Sequence, residues 1–127
     1  MSPPAAPAAV PAMAAAATAA AVRGGTLTAR AAVQAALERI AATDGQINAF
    51  TAVLAERALA RADVVDAHPR RGRMALAGVP FAVKNLFDVA GLPTLAGSTI
   101  EASRAPAARA AALVRRLEAE GAVLVCA

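Results

Sequence analysis

The chain has 127 residues, 58% hydrophobic, 17% charged and 2% aromatic, with 13 basic against 9 acidic side chains; at about 150 residues per domain that is one domain or part of one. Much of the apolar fraction is alanine, which buries little area, so a mean hydropathy of +0.52 overstates the capacity to build a core. The lone Cys126 excludes an internal disulfide and a cysteine-rich zinc site, and His68 alone makes neither a metal site nor a His-based triad.

Taken in chain order, residues 1–12 are Pro/Ala-rich and predict a disordered tail, since proline blocks helix interiors and alanine offers no core. The apolar run after it has no basic residue in front of it and prolines at 3, 4, 7 and 11, which argues against a signal peptide or a membrane span. It predicts instead a short helix over 13–23, ended by Gly24-Gly25, in a chain expected to be cytoplasmic. Thr28 can cap a second helix with Val33, Leu37 and Ile40 on one face, ended by Asp44-Gly45. A third helix after Phe50 runs to about Ala67 and buries Leu54, Ala58, Ala62 and Val65, with Arg57 and Arg61 elsewhere on it. It stops at His68-Pro69, and residues 68–75 read as a basic, solvated loop. The period then changes. Val79, Phe81 and Val83 alternate with Pro80, Ala82 and Lys84, the two-residue repeat of a strand. Gly91, Pro93 and Gly97 mark a loop, and Pro106 suits the start of a helix with Ala110, Leu113, Val114 and Leu117 as its buried stripe. Residues 122–126 form a continuous apolar run, as in a strand buried on both faces. The fold class expected is α/β: N-terminal helices followed by a βαβ unit with parallel strands. The last strand needs neighbours on both sides, and no later residue supplies one.

Of the 13 basic residues, 12 are arginine and one is Lys84. An arginine bias follows from a high-GC genome, and the charges cluster only at Arg70-Arg71-Gly72-Arg73 and Arg115-Arg116. With only Phe50, Phe81 and Phe87 as aromatics, base stacking is disfavoured, and nucleic-acid binding ranks last among the readings. Lys84 is the most informative residue. At the end of a buried strand it is expected to be paired, with Asp88 as the candidate partner, or to have a lowered pKa. From these residues alone, a lysine snorkelling at a strand end outweighs a desolvated general base. Ser98 reads as a loop or cap hydroxyl, Cys126 as an unactivated apolar residue, and Gly78, Gly91 and Gly97 as turns rather than a phosphate loop.

The stretch LAGVPFAVKNLFDVAGLPTLAGS (76–98) resembles the lysine-bearing segment of the amidase signature family. The resemblance extends upstream through residues 27–63, with their N-A-F element, and downstream through LVRRLEAEGAVLV (113–125), covering about residues 13–125. The K-N-L-F-D wording at 84–88, where K-D-x is commoner, looks most like the biuret/1-carboxybiuret hydrolase branch, which is close to the amidase-type subunit of glutamyl-tRNA amidotransferase. The resemblance implies serine hydrolases with a Ser–cis-Ser–Lys triad acting on small amides, without metal or cofactor. Residues 13–127 would then be an incomplete, N-terminal piece of the amidase signature domain.

On that resemblance Lys84 matches the catalytic lysine, which shuttles a proton through the cis-serine to the nucleophile. Both serines come from a Gly/Ser-rich signature that these residues do not contain: the serines present are Ser2, Ser98 and Ser103. Two departures stand out. Ala110 replaces a frequent Asp, and Cys126-Ala127 replaces the usual Gly-Lys-Thr-Asn continuation, which reads as a truncation, a frameshift or a cloned fragment. The expectation is therefore an amidase segment with the base lysine but no nucleophile, inactive alone. The alternative is a non-enzymatic remnant or assembly module that self-associates or docks on a partner through its open sheet edge.

Overall fold

The computed structural model describes residues 10–98 and 100–127. Of the expected tail, residues 1–9 lie outside that range, and residues 10–14 form neither helix nor strand. Helix α1 (Ala15–Gly24) buries Thr18, Ala19 and Val22, and ends where Gly25 turns left-handed at φ 80°.

Helix α2 (Ala29–Ile47) is capped twice. The Thr28 hydroxyl accepts the Ala31 N–H at 3.0 Å, and the Asp66 carboxylate accepts those of Ala29 and Arg30 at 2.7 and 3.1 Å. Three of the four unpaired amides of the first turn are thus satisfied, one pair of them from the next helix. The expected stop at Asp44-Gly45 is corrected: α2 continues to Ile47, and the left-handed Asn48 ends it. Asp44 makes the extension viable, because its carbonyl accepts Asn48 N–H and its side chain accepts Ala49 N–H. A mid-helix glycine costs only about 1 kcal/mol.

Helix α3 (Ala55–Ala67) buries Ala58, Ala62 and Val65 as expected, with Leu54 only half-buried. It starts later than its apolar pattern suggests because the residues before it serve the sheet. Strand β1 (Pro80–Ala82) pairs in parallel with β2 (Val123–Cys126), giving the predicted βαβ connection. All four residues of β2 are buried. Its second neighbour lies earlier in the chain. Residues 51–54 run antiparallel to the end of β2: Leu54 N–H donates to Val125 O at 2.8 Å, and Ala127 N–H donates to Ala52 O at 2.9 Å. Hence the second edge of β2 is paired at its C-terminal end, and β1 has a strand partner on one edge only among the described residues, so the open edge expected for docking includes that of β1.

The strand register contains a bulge. Phe81 pairs with Leu124 and Ala82 with Cys126, so Val125 is the extra residue on β2. The bulge explains a break in alternation. Val123, Val125 and Cys126 all join the core made with α1, α2 and α3, whereas Leu124 and Ala127 face a second cluster with Val83, Val89 and Val114.

Helix α4 (Ala112–Ala119) corrects another expectation. It does not begin at Pro106; residues 107–111 form no helix and contact 88–92 instead, with Ala107 bridged to Ala90 and Ala111 N–H donating to Asp88 O. Of the stripe assigned to this helix only Val114 is fully buried, and Leu113 is 46% exposed. Met74, at the end of the basic loop, is also core.

Two glycines permit a close approach between backbone segments. Gly78 N–H donates to Gly121 O at 2.9 Å, and both residues are left-handed, at φ 70° and 92°. A Cβ on Gly78 would stand 2.9 Å from Ala29 Cα, and one on Gly121 would stand 3.0 Å from Ala77 Cα. Gly78→Ala and Gly121→Ala should therefore each lower the unfolding free energy by about 2–4 kcal/mol, combining left-handed strain with overpacking. Gly91→Ala, left-handed but in open space, should lose only about 1 kcal/mol in the same urea titration.

Burial pushes the Cys126 thiol up from 9.0 to about 11, with the Asp44 charge a smaller contributor. The folded chain holds that proton more tightly than the unfolded chain, so this contribution is complete below about pH 9 and lost as pH rises through about 11. Unfolding free energy should fall by on the order of 2–3 kcal/mol across that window. Denaturation of Cys126→Ala should lack the step.

Candidate functional site

Lys84 lies two residues past the end of β1. Val83 is buried, and its N–H donates to Cys126 O at 3.2 Å; the next residue leaves the sheet. Lys84 opens a tight turn closed by Phe87 N–H on its carbonyl, at 3.1 Å. Its side chain is exposed, in keeping with the reading of a lysine snorkelling at a strand end and not with a desolvated or paired amine. Asp88 is not its partner. One Asp88 carboxylate oxygen takes the Thr94 hydroxyl, and among the described residues no ion pair involves Lys84. Asp88 thus organises its own loop, while alternation carries Lys84 to the face opposite Val83.

An open cavity of about 610 Å³ lies at this corner, lined by Thr51, Val83, Lys84, Asn85, Gly97 and Ala127 among others. Three stretches far apart in sequence meet there: the approach to α3, the turn after β1 and the 94–97 loop. Asn85 joins them. Its Nδ2 donates to Thr51 Oγ1 at 2.7 Å, its Oδ1 accepts Leu95 N–H at 3.0 Å, and its backbone carbonyl accepts Ala96 N–H at 2.7 Å. Neither Asn85 nor Thr51 emerged as a site residue from the sequence. The available signal was the Asn at 85 itself, a side chain that donates and accepts at once, set where a carboxylate is commoner in the resembling family.

Ser98 has the expected local role. Its hydroxyl accepts Ile100 N–H at 3.2 Å, while the Ser103 hydroxyl donates to Ile100 O at 2.9 Å. Ser2 lies outside the described residues. His68 Nδ1 accepts Arg70 N–H, and no cluster of metal-ligating side chains occurs among the described residues. Nor is any described helix long and apolar enough to cross a membrane. What the corner offers chemically is one primary amine on the rim of a cavity, carried on a hydrogen-bonded turn.

A family model described as Amidase matches residues 31–127. The chain is 51% identical over 106 residues to AtzE, the 1-carboxybiuret hydrolase subunit of Pseudomonas sp. strain ADP, covering 82% of this chain and 23% of that protein. It is 53% identical over 95 residues to a glutamyl-tRNA(Gln) amidotransferase subunit of Anaeromyxobacter dehalogenans strain 2CP-C, covering 73% of this chain and 19% of that one. Among solved structures, a vestigial protein complex bearing on the origins of an s-triazine catabolic enzyme superposes with a TM-score of 0.83 at 48% identity, over 89% of this chain and 25% of that chain. The native peptide amidase of Stenotrophomonas maltophilia gives a TM-score of 0.77 at 33% identity, over 88% and 23%. The chain thus spans about a quarter of the length of the relatives it matches. With the family model matched from α2 to the final residue, the chain belongs to the amidase family, in the amidase signature fold.

Proposed function

We propose that this chain supplies the lysine side of an amide-hydrolysing site, with Lys84 as the proton shuttle of a Ser–cis-Ser–Lys triad. The observation that supports this most directly is the location of Lys84, the chain's one lysine, at the mouth of the 610 Å³ cavity on a pinned turn. A primary amine can take a hydroxyl proton and return it to the leaving nitrogen, which is the task of a general base that later acts as general acid. The nucleophile, attacking a small carboxamide to form an acyl-enzyme, belongs to the serine-bearing signature, which residues 1–127 do not contain.

Lys84 is exposed, so the burial that favours an uncharged amine has to come from protein covering the cavity. The turn prepares for such a cover: Leu86 is 47% exposed and Phe87 36% exposed beside it. The substrate class proposed is a small amide, with 1-carboxybiuret the first to test because that relative's name specifies it. No metal or cofactor enters the proposed chemistry.

The purified chain should hydrolyse no amide, because a base without its nucleophile contributes little. Co-expressed with the Pseudomonas 1-carboxybiuret hydrolase subunit lacking its matching N-terminal region, it should restore turnover. In that pair Lys84→Ala should lower kcat by roughly 10²- to 10⁴-fold. Lys84→Arg should lose as much, since arginine keeps the charge but cannot give up its proton. Turnover by the chain alone, or a restored enzyme indifferent to both substitutions, would overturn the proposal.

A further inference from the structure

We infer that Asn85 is the positioning residue for Lys84: its amide ties the lysine-bearing turn to the end of β2 through Thr51 and to the 94–97 loop through Leu95. The inference rests on the reading of Lys84 as the proton shuttle. It follows from the direction of each hydrogen bond. Leu95 N–H can only donate, so the Asn85 atom 3.0 Å from it is the oxygen, and the amide nitrogen is turned toward Thr51 Oγ1 at 2.7 Å. The Thr51 hydroxyl has one hydrogen, which it donates to Ala127 O at 3.1 Å, beside its own N–H on the same oxygen at 2.7 Å. Its lone pair is therefore available to accept, and the Asn85 amide is the donor that meets it. An asparagine of this length meets both demands, whereas aspartate could accept from Leu95 but not donate to Thr51.

The tie acts on a residue with little else to hold it. Lys84 is exposed and lies beyond the last β1 pair, so its backbone direction depends on Val83 before it and Asn85 after it. Ala96, whose N–H donates to the Asn85 carbonyl, sits at φ 47°, a left-handed conformation costing a non-glycine residue about 1–2 kcal/mol. The 94–97 loop is thus drawn onto Asn85 against its own preference. Past the Val125 bulge the pairing resumes at Cys126, and Ala127 O beyond it accepts the Thr51 hydroxyl. The amine is referenced through Asn85 to the most buried strand in the molecule.

Because Lys84 is the only lysine, labelling with [15N]lysine gives a single backbone amide resonance to follow. Asn85→Asp and Thr51→Val should both lower its heteronuclear NOE, whereas Thr51→Ser, which keeps the hydroxyl, should leave it as in the parent chain. Amide exchange at Leu124 should stay within about threefold throughout, which separates local release from unfolding. In the reconstituted hydrolase, Asn85→Asp and Thr51→Val should lower kcat roughly 10- to 100-fold with little change in KM. If Thr51→Val loses Leu124 protection, Asn85→Asp decides the matter. An unchanged Lys84 resonance and kcat in a folded Asn85→Asp chain would overturn the inference. A restored enzyme that ignores Lys84→Ala overturns the functional reading instead, and the NOE then decides alone whether Asn85 holds the lysine.

Discussion

Everything in this chain is arranged around the burial of four residues, Val123–Cys126. A strand with no exposed residue cannot leave its N–H and C=O groups to water, so both edges must be paired within the protein. Parallel β1 pairs one edge. Residues 51–54, running the other way, pair the far end of the second, and α2, α3 and α4 cover the faces. The consequence reaches the candidate site. To lie beside β2, the approach to α3 has to pass the point where β1 gives way to Lys84. Thr51 then becomes available to Asn85 as a by-product of satisfying the strand.

The second constraint is the use made of arginine. From composition, 12 arginines against one lysine look like a genomic bias with solvated heads. In the fold, several bind carbonyls. Arg23 donates to Met74 O and Ala75 O, Arg57 to Ala90 O, Arg61 to Glu118 O and Arg71 to Asp66 O. Two of these acceptors lie near helix C-termini, where carbonyls lack intrahelical partners and a cation is favoured by the helix dipole. A forked guanidinium holds such positions with its stem packed along apolar surface, which a point-charge ammonium does less well. Compositional bias and structural use are compatible, since arginines present for either reason can serve as carbonyl clamps in an alanine-rich core of small contacts.

Legibility of the sequence tracks the range of the interaction concerned. Thr28 and the Val33–Leu37 spacing revealed α2 because caps and periodicity are local, and the unbroken run at 122–126 revealed a doubly buried strand for the same reason. The 51–54 neighbour stayed hidden: four residues are too few for a period, and their pairing is set by Ala127, 76 positions away from Thr51. Pro106 misled because a proline compatible with a helix start is equally compatible with the non-helical segment that contacts 88–92. At the site, Lys84 was legible as the odd residue out. Its exposure was not, since a two-residue strand repeat says which face a side chain takes but not whether anything covers that face. Asn85 escaped because its role depends on what Thr51 and Leu95 present to it.

The exposed face also explains why the lysine is held by backbone and amide contacts rather than by a carboxylate. An ion pair in the open would be worth little, at a median of about 0–1 kcal/mol. Once covered, it would also stabilise the protonated amine and oppose the role proposed for it. Asn85 avoids that conflict by constraining the turn without placing a charge beside the amine. Asp88, the acid available nearby, is kept occupied by Thr94. A neutral tether next to the lysine and a diverted acid four residues on leave Lys84 without an ion-pair partner among the described residues. That arrangement is compatible with the role proposed for it, because nothing charged has to be displaced before the cavity is covered.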